Sequence, residues 1–539
     1  MDSESTSILT FNTSLKASVV NMTMDATTLA DQKYDILEQK LEIGESILDS
    51  VNPGGRYQYW LLVISFLLAV GTGFVLYLTA YLAPDPIPEC ADLSNPGVYK
   101  ICLESEACAL LREGKDAKLT VMSGSWVDLY GLTCDKAYLR KDGMALMLFM
   151  NGFMQLFALY LSDMYGRTTG FAISFLYLIV GFGMSYFVKD YIIGMAGIGL
   201  MNACCSVVYA CLLTVYATEV TTSKTRLRSI IVAMFFFGYG LGCIVVNFFA
   251  YISTAPDFLL LLSLGITGVP GFFCLFLVES PMFELDRGNL DKFEKLTTRI
   301  GRINGIKIKD AMQHSSKIDQ LRTLVSQSEE ISKYQKSRSI MYRYPILALL
   351  SSKVYFRRFL TLSIIACHLY CIYFGMTVNI QGLGMKDIKL NGIIFGVTQS
   401  IGFMVVIPYA DKMPRKLWNI IFQFIMLAGV GILMAMSLML DQNNKTVELA
   451  GSIVSCVMLA IPLSALFTIF FMHVAESFPP ELRGTANSLV MLISNLFSML
   501  TPYFGEIANG AGLHFVVGCS MIGLISLPLA FTLKETLNK

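Results

Sequence analysis

A chain of 539 residues in which 54% are hydrophobic and only 15% are charged cannot keep itself dispersed in water. Soluble globular chains carry about a quarter charged residues, and apolar surface on this scale associates. The formal net charge of +1 excludes a global field directed at nucleic acid or another polyion, which leaves the lipid bilayer as the partner that composition demands.

Residues 1–50 are polar and acidic, with Asp2, Glu4, Asp25 and Asp31. They lack the basic start and apolar run of a secretory signal. The stretch 1–56 therefore reads as a cytoplasmic N-terminal segment, and the first span as its own insertion signal. Trp60 to Tyr81 contains no Asp, Glu, Lys or Arg, and about 20 such residues cross the hydrocarbon core. Similar runs cover Met144–Leu161, Thr168–Val188, Tyr191–Thr218, Ser229–Pro256 and Phe258–Val278. After a polar stretch come Phe359–Met385, Leu390–Ala410, Leu417–Leu440, Leu449–Val474, Thr485–Gly505 and Ile507–Leu533. β-Barrel strands would alternate over about ten residues; these runs do not, so the reading is an all-α membrane protein with twelve transmembrane helices.

The domain plan follows: a six-helix bundle at 57–278 that includes a loop at 84–138, a connecting loop at 279–357, a second bundle at 358–533, and a tail at 534–539. Basic residues in short loops set orientation. Arg167, Lys224, Arg226, Arg228, Lys412, Arg415 and Lys416 fall on one side when both termini are cytoplasmic, as does the basic stretch from Arg287 to Arg358. The loop 84–138 then faces outside with Cys90, Cys102, Cys108 and Cys134. Four cysteines in an oxidising compartment point to two disulfides of three possible connectivities; metal is the competing reading, disfavoured because the loop holds no histidine. The sequons at Asn12 and Asn21 face the cytoplasm on this topology, whereas Asn444 lies outside, close to the membrane.

The halves repeat one another. Asp163-Met-Tyr-Gly-Arg167 follows the second span and Asp411-Lys-Met-Pro-Arg415 follows the eighth. Glu219 precedes Arg226 by seven residues after the fourth span, and Glu476 precedes Arg483 by seven after the tenth. Pseudo-symmetric halves mark secondary transporters. Charges at helix ends, placed to pair across the interface between halves, are candidate gates; the bland reading is that they anchor helix ends.

These residues resemble the major facilitator superfamily and, within it, the organic cation/anion/carnitine transporter family, across roughly residues 50 to 535. Ser125-Trp-Val-Asp-Leu-Tyr-Gly-Leu-Thr-Cys134-Asp resembles that family's Trp-Asp-Leu-Val-Cys segment with an insertion. Glu279-Ser-Pro281, with Phe283 and Arg287-Gly288, resembles its Glu-Ser-Pro-Arg-Trp signature, and Glu476-Ser-Phe-Pro479 with Arg483-Gly484-Thr485 resembles its Glu-Leu-Phe-Pro…Arg-Gly-Thr signature. The chain departs from the pattern at Met164, Thr168, Pro414 and Met282, and Ile192–Leu200 holds no arginine. The resemblance implies two pseudo-symmetric six-helix bundles, a major facilitator fold, and alternating access.

In such a fold the solute binds near the midplane between the halves. The resemblance places Gln399 and Asn495 where cation-handling members carry acids in helices eight and eleven, and Asn495 where anion-handling members carry arginine. No Asp, Glu, Lys or Arg lies inside the twelve runs, so nothing offsets the cost of a strongly charged solute. Amides suit a neutral, zwitterionic or amphiphilic solute; an organic cation held by aromatic faces is the alternative, and an anion fits least. Other candidate lining residues are Asn151 with Gln155, Tyr209, Phe235 with Tyr239, and Tyr370, Tyr373 and Phe374. For each aromatic the competing reading is helix packing, and for the amides it is joining helices. His368 is a possible proton-linked group, although without an intramembrane carboxylate uniport or exchange is the default.

No G-x4-G-K-[ST] loop is present, so ATP is not a partner. The four histidines form no H-E-x-x-H, and the connecting loop reads as a solvated, charged helical segment. Neither enzyme activity, cofactor nor metal is expected. A plasma-membrane location follows from the resemblance, and a monomer suffices. A non-transporting receptor or scaffold of the same fold is the second alternative, against which the paired Glu219/Arg226 and Glu476/Arg483 weigh.

Overall fold

The computed structural model describes residues 26–51, 54–91, 99–205, 213–221, 227–306, 316–327, 349–380, 387–406, 414–439, 445–478 and 480–536. The chain divides into two compact units, Arg56–Ser280 with Pro345–Lys539, and Met1–Gly55 with Pro281–Tyr344.

In the larger unit the membrane helices are α1 (Arg56–Leu82), α2 (Ala137–Tyr165), α3 (Arg167–Phe187), α4 (Tyr191–Ala203 and Leu213–Val220), α5 (Leu227–Ile252) and α6 (Pro256–Cys274). The second set is α7 (Lys353–Val378), α8 (Ile388–Val406), α9 (Arg415–Met439), α10 (Lys445–Ser477), α11 (Pro480–Ser498 and Thr501–Gly510) and α12 (Phe515–Cys519 and Gly523–Ala530). Among the described residues ten helices are long and apolar enough to cross a membrane. Helices form because lipid offers backbone groups no partner, so each N–H and C=O must bond within its own segment.

The expected twelfth span takes another form, since α12 is interrupted at 520–522; of α4, residues 206–212 lie outside the described residues. The turn before α12 also lies later than expected: α11 runs on to Gly510, and the reversal falls where Gly512 takes a left-handed φ of 71°. Glu506 caused the difference, because a charge reads as the end of a span, yet this one sits at the membrane edge in an ion pair with Lys141. Pro502, which has no N–H to donate, opens the second piece of α11. α10 widens into a π turn at Ser455–Ala460, just before Pro462.

α1 packs on α5 and α6, and α2 on α3 and α4; in the other half α7 packs on α11 and α12, and α9 on α10 and α12. Close crossings rest on small residues. A Cβ at Gly73 would stand 3.1 Å from the Gly242 Cα, so α1 and α5 touch backbone to backbone there. The halves meet along α5–α8 and α2–α11, with α1 against α7.

The loop after α1 folds as an antiparallel sheet of β1 (Ile87–Ala91), β2 (Tyr99–Ile101) and β3 (Ala117–Thr120) in the order β2-β1-β3. Disulfides join Cys90 to Cys102 and Cys108 to Cys134, which selects one of the three connectivities. Buried Arg140 ties this loop to α2, donating to Asp85 Oδ1 and Glu104 Oε2 (2.8 Å each) and to the Leu132 carbonyl (2.9 Å). Trp126 stands edge-on to Tyr191 of α4, with centroids 6.2 Å apart.

The smaller unit pairs the helix Ala26–Ser50 with Pro281–Asp286, Leu290–Ile303 and the helix at 316–327. Its core is Ile47, Leu48, Val51, Met282, Leu285, Phe293, Ile318 and Leu321. The connecting segment is therefore part of a packed body together with the N-terminal helix.

The Cys108–Cys134 bridge closes a sequence separation of 26 residues, which chain entropy values at about 3 kcal/mol. The double variant Cys108→Ser/Cys134→Ser is expected to be cleaved faster within 84–138 under limited proteolysis, with the membrane helices still protected.

Candidate functional site

Polar side chains in a membrane helix must find partners on neighbouring helices, and here they find them across the line where the halves meet. On α2, Asn151 and Gln155 share one face, and both meet Asn495 of α11. Asn151 Nδ2 donates to Asn495 Oδ1 (3.2 Å), and Asn495 Nδ2 donates to Gln155 Oε1 (2.9 Å) and the Met491 carbonyl (3.1 Å). Gly152 permits this: a Cβ there would lie 2.6 Å from the Asn495 Cβ.

A second cluster joins α1, α5, α7 and α8. Tyr77 donates to Gln399 Oε1 (2.5 Å) and lies 3.1 Å from the Tyr373 hydroxyl, which in turn donates to Tyr239 (2.5 Å). The rings of Tyr370, Tyr373 and Phe374 pack with Phe467, with centroids 5.2–5.9 Å apart. Tyr370 reaches Met491 Sδ (3.0 Å), and Phe235 is buried edge-on to Phe236. Phe235, Tyr239, Tyr370, Tyr373, Phe374 and Gln399 were expected from the sequence; Tyr77, Phe236, Phe467 and Met491 were not. Tyr77 was missed, and its signal was a phenol four residues from Tyr81 in an otherwise apolar run.

Two buried donors in these clusters, Gln155 Nε2 and Gln399 Nε2, lack a partner. Among the described residues the buried charged side chains are Lys40, Arg140, Glu284 and Arg415, and none stands mid-helix in a membrane span. The clusters are thus uncharged, with spare donors on α2 and α8.

The seam is closed by different chemistry at its two ends. Toward the disulfide loop, Tyr503 donates to Asp142 (2.6 Å), Tyr251 to Asp387 (3.2 Å), and Lys141 pairs with Glu506. Toward the other end, Phe236 of α5 stacks on Phe403 of α8 at 5.2 Å.

The duplicated charges lie inside each half. Arg167 donates to Glu219 Oε1 (2.8 Å) and Oε2 (3.2 Å), and also pairs with Asp163. Arg415 grips Glu476 in the same fashion at 3.1 and 3.3 Å. A second carboxylate caps the helix in each case. The backbone N–H groups of Arg167 and Thr168 donate to Glu279 (2.8 and 3.1 Å), and those of Arg415 and Lys416 to Glu535 (2.8 and 3.1 Å). Among the described groups, each of these arginines faces a carboxylate of its own bundle. Glu535 was not anticipated, although Leu533-Lys-Glu535-Thr536 stands after α12 as Val278-Glu279-Ser280 stands after α6. Tyr209, Arg226, Asp411 and the side chain of Arg483 lie outside the described residues.

His368 is fully buried within the second half. Its Nδ1 lies 2.8 Å from Ser526 Oγ, which donates to Gln423 Oε1 (2.9 Å), and Gln423 Nε2 donates to Asn419 (2.5 Å). The ring abuts Gly523 of α12.

The sequence model of the Major Facilitator Superfamily matches residues 142–502. The chain is 24% identical over 264 residues to "Organic cation/carnitine transporter 4" of Arabidopsis thaliana, an alignment covering 49% of this chain and 46% of the relative. It is 26% identical to "Steroid transmembrane transporter SLC22A24" of Microcebus murinus over 42% of this chain and 37% of the relative. With "Solute carrier family 22 member 4" of Mus musculus it shares 23% over 60% of this chain and 56% of the relative. These alignments span only about half the length of the curated relatives. Among solved structures it is similar to the xylose transporter XylE from E. coli in a partially occluded inward-open conformation. That likeness has a TM-score of 0.59 at 14% identity and covers 90% of this chain and 99% of that one. The XylE proton:xylose symporter bound to 6-bromo-6-deoxy-D-glucose gives a TM-score of 0.58 at 14% identity, with 88% and 94% covered. The twelve-helix, two-bundle fold read from the sequence is the fold these neighbours share.

Arg415 is buried and its pair with Glu476 only partly exposed. Arg415→Ala is therefore expected to lower unfolding stability by about 2 kcal/mol, discounted for that exposure. The measurement is thermal unfolding of the purified protein; an unchanged Tm would show the pair to be ornamental.

Proposed function

We propose that this chain, which belongs to the Major Facilitator Superfamily, is a secondary transporter moving a small organic solute of neutral, zwitterionic or amphiphilic character by alternating access. The observation that carries the reading is the pair of buried, unpartnered amide donors, Gln155 Nε2 and Gln399 Nε2, in clusters that hold no charged side chain among the described residues. A buried donor left unmade costs about 1–3 kcal/mol. A solute oxygen that accepts from it recovers that energy, while the rings around Tyr373 cover an apolar body. A strongly charged solute would have to shed its hydration with no opposite charge in place. The names of the relatives, which include carnitine and steroid transporters, agree with an organic solute.

In this reading the contacts at the disulfide-loop end of the seam form the outer gate, since Asp142–Tyr503, Lys141–Glu506 and Tyr251–Asp387 all bridge the halves. The Arg167 and Arg415 clusters brace each half as a rigid body. His368, hydrogen-bonded inside one half, has no part in coupling, so flux runs as uniport or exchange. The protein resides in the plasma membrane with both termini in the cytoplasm, and a monomer suffices.

A second reading rests on the aromatic wall of Tyr370, Tyr373, Phe374 and Phe467. Such rings hold an organic cation through cation–π attraction.

The test is untargeted mass spectrometry of cells expressing the chain, compared with cells expressing Gln399→Ala or Gln155→Ala at matched surface levels. A neutral or zwitterionic compound is expected to differ, with initial uptake reduced roughly tenfold in each variant. Accumulation of a permanent cation, lost in Tyr373→Ala but kept in Gln399→Ala, would establish the second reading. No differing compound would overturn transport and leave a receptor or scaffold.

A further inference from the structure

At the end of the second half where α7 begins and α12 stops, a cavity of about 470 Å³ is bordered by Lys353, Arg357, Arg358, His473 and Lys534. None of these belongs to the seam between the halves. Among the described residues Lys353, Arg357 and Lys534 make no ion pair. Arg358 spends one N–H on the Ser477 carbonyl (3.1 Å) and keeps the rest of its fork. The one carboxylate on the wall, Glu476, is already satisfied by Arg415 and by the Thr536 hydroxyl at 2.6 Å. Among the described residues, four cationic groups therefore stand around one opening, and none of them has a carboxylate partner.

Two further features give the site direction. His473 is 1% exposed and lines the cavity, and its Nδ1 has no partner. The His473 ring also bonds the Lys534 backbone, so Nδ1 is a bare acceptor, which suits a ligand that keeps a hydroxyl to donate, such as a singly ionised phosphate monoester. α7 also starts at Lys353, so its N-terminal backbone amides add partial positive charge at the same end. Val354 on the cavity wall, and Leu360 and Phe531 next in sequence to the wall residues Thr361 and Thr532, are 58%, 48% and 58% exposed and form an apolar rim. A soluble metabolite has no use for that apolar rim, whereas a lipid lays its acyl chains along it.

We propose that this cavity is a binding site for the phosphate headgroup of an anionic lipid, with the phosphate held by Lys353, Arg357 and Lys534. Surface lysines and arginines act here as a built site because they converge on a cavity. The basic anchors that merely flank helix ends face open solvent.

The purified full chain in neutral detergent is titrated with dioctanoyl phosphatidic acid, dioctanoyl phosphatidylcholine or inorganic phosphate, with the thermal midpoint as readout. Phosphatidic acid is expected to raise the midpoint at a concentration at least about tenfold lower than the other two. The shift should vanish in Lys353→Ala/Arg357→Ala/Lys534→Ala, whose unliganded midpoint stays that of the parent because all three side chains are exposed. It should persist in Lys295→Ala/Arg299→Ala/Arg302→Ala, which removes the same charge from the other unit. Arg357→Glu alone should weaken the response and so checks the result without a triple change. An equal response to phosphatidylcholine, or a response that survives the triple variant, overturns the site. Inorganic phosphate acting at the same concentration as phosphatidic acid overturns the lipid assignment.

Discussion

The hydrocarbon core of a bilayer gives a polar group nothing to bond with, and nearly everything specific about this protein follows from where its polar groups go instead. Charges retreat to the helix ends, where Arg167 and Arg415 pair with Glu219 and Glu476, and Glu279 and Glu535 accept from the first N–H groups of α3 and α9. Amides and phenols that stay inside turn toward another helix. Gln155, Asn495, Tyr77 and Gln399 meet across the line between the halves, and Gln423, Ser526 and His368 meet within one half.

The two kinds of placement imply different mechanical roles. A bidentate arginine–glutamate pair is directional and strong once partly withdrawn from water, so Arg167 with Glu219 locks α3 to α4, and Arg415 with Glu476 locks α9 to α10. Because the same construction occurs twice, each bundle is stiff at the same place. Inward of the charged contacts at its disulfide-loop end, the seam is made of single hydrogen bonds between neutral groups and of stacked rings, each worth about 1 kcal/mol. Two stiff bodies joined by weak, replaceable contacts can rock against each other. The seams α2–α11 and α5–α8 are equivalent under exchange of the halves, which is the symmetry that alternating access requires.

Much of this was legible in the chain because membrane insertion is a local filter. Runs free of charge announce the helices, and duplicated spacings announce the repeat. Loop cysteines announce disulfides, and basic loops announce an orientation. Asn151 and Gln155 could be named for the same reason, as amides in an apolar run, whereas Gln399 and Asn495 were named from positions that the family resemblance implies. Where the reading slipped, the cause was also local. Glu506 looked like the end of a span because charge cost was judged from neighbours in sequence, whereas its partner Lys141 lies on another helix. The connecting loop looked solvated because the apolar side chains of Phe293 and Leu321 are covered only by Ile47, Leu48 and Val51, far back along the chain.

By itself, then, the sequence determined the solvent of this protein, its helical class, its two-fold internal design and the neutrality of its spans, since each depends on composition within one turn or one segment. Only the tertiary structure decided which cysteines pair, that each arginine faces a glutamate of its own half, that Glu535 repeats Glu279, and that Tyr77 joins the seam. Those are choices among partners hundreds of residues apart, and a hydrogen bond discriminates among them by ångström-scale position. Spacing along the chain does not encode that position until the helices have packed.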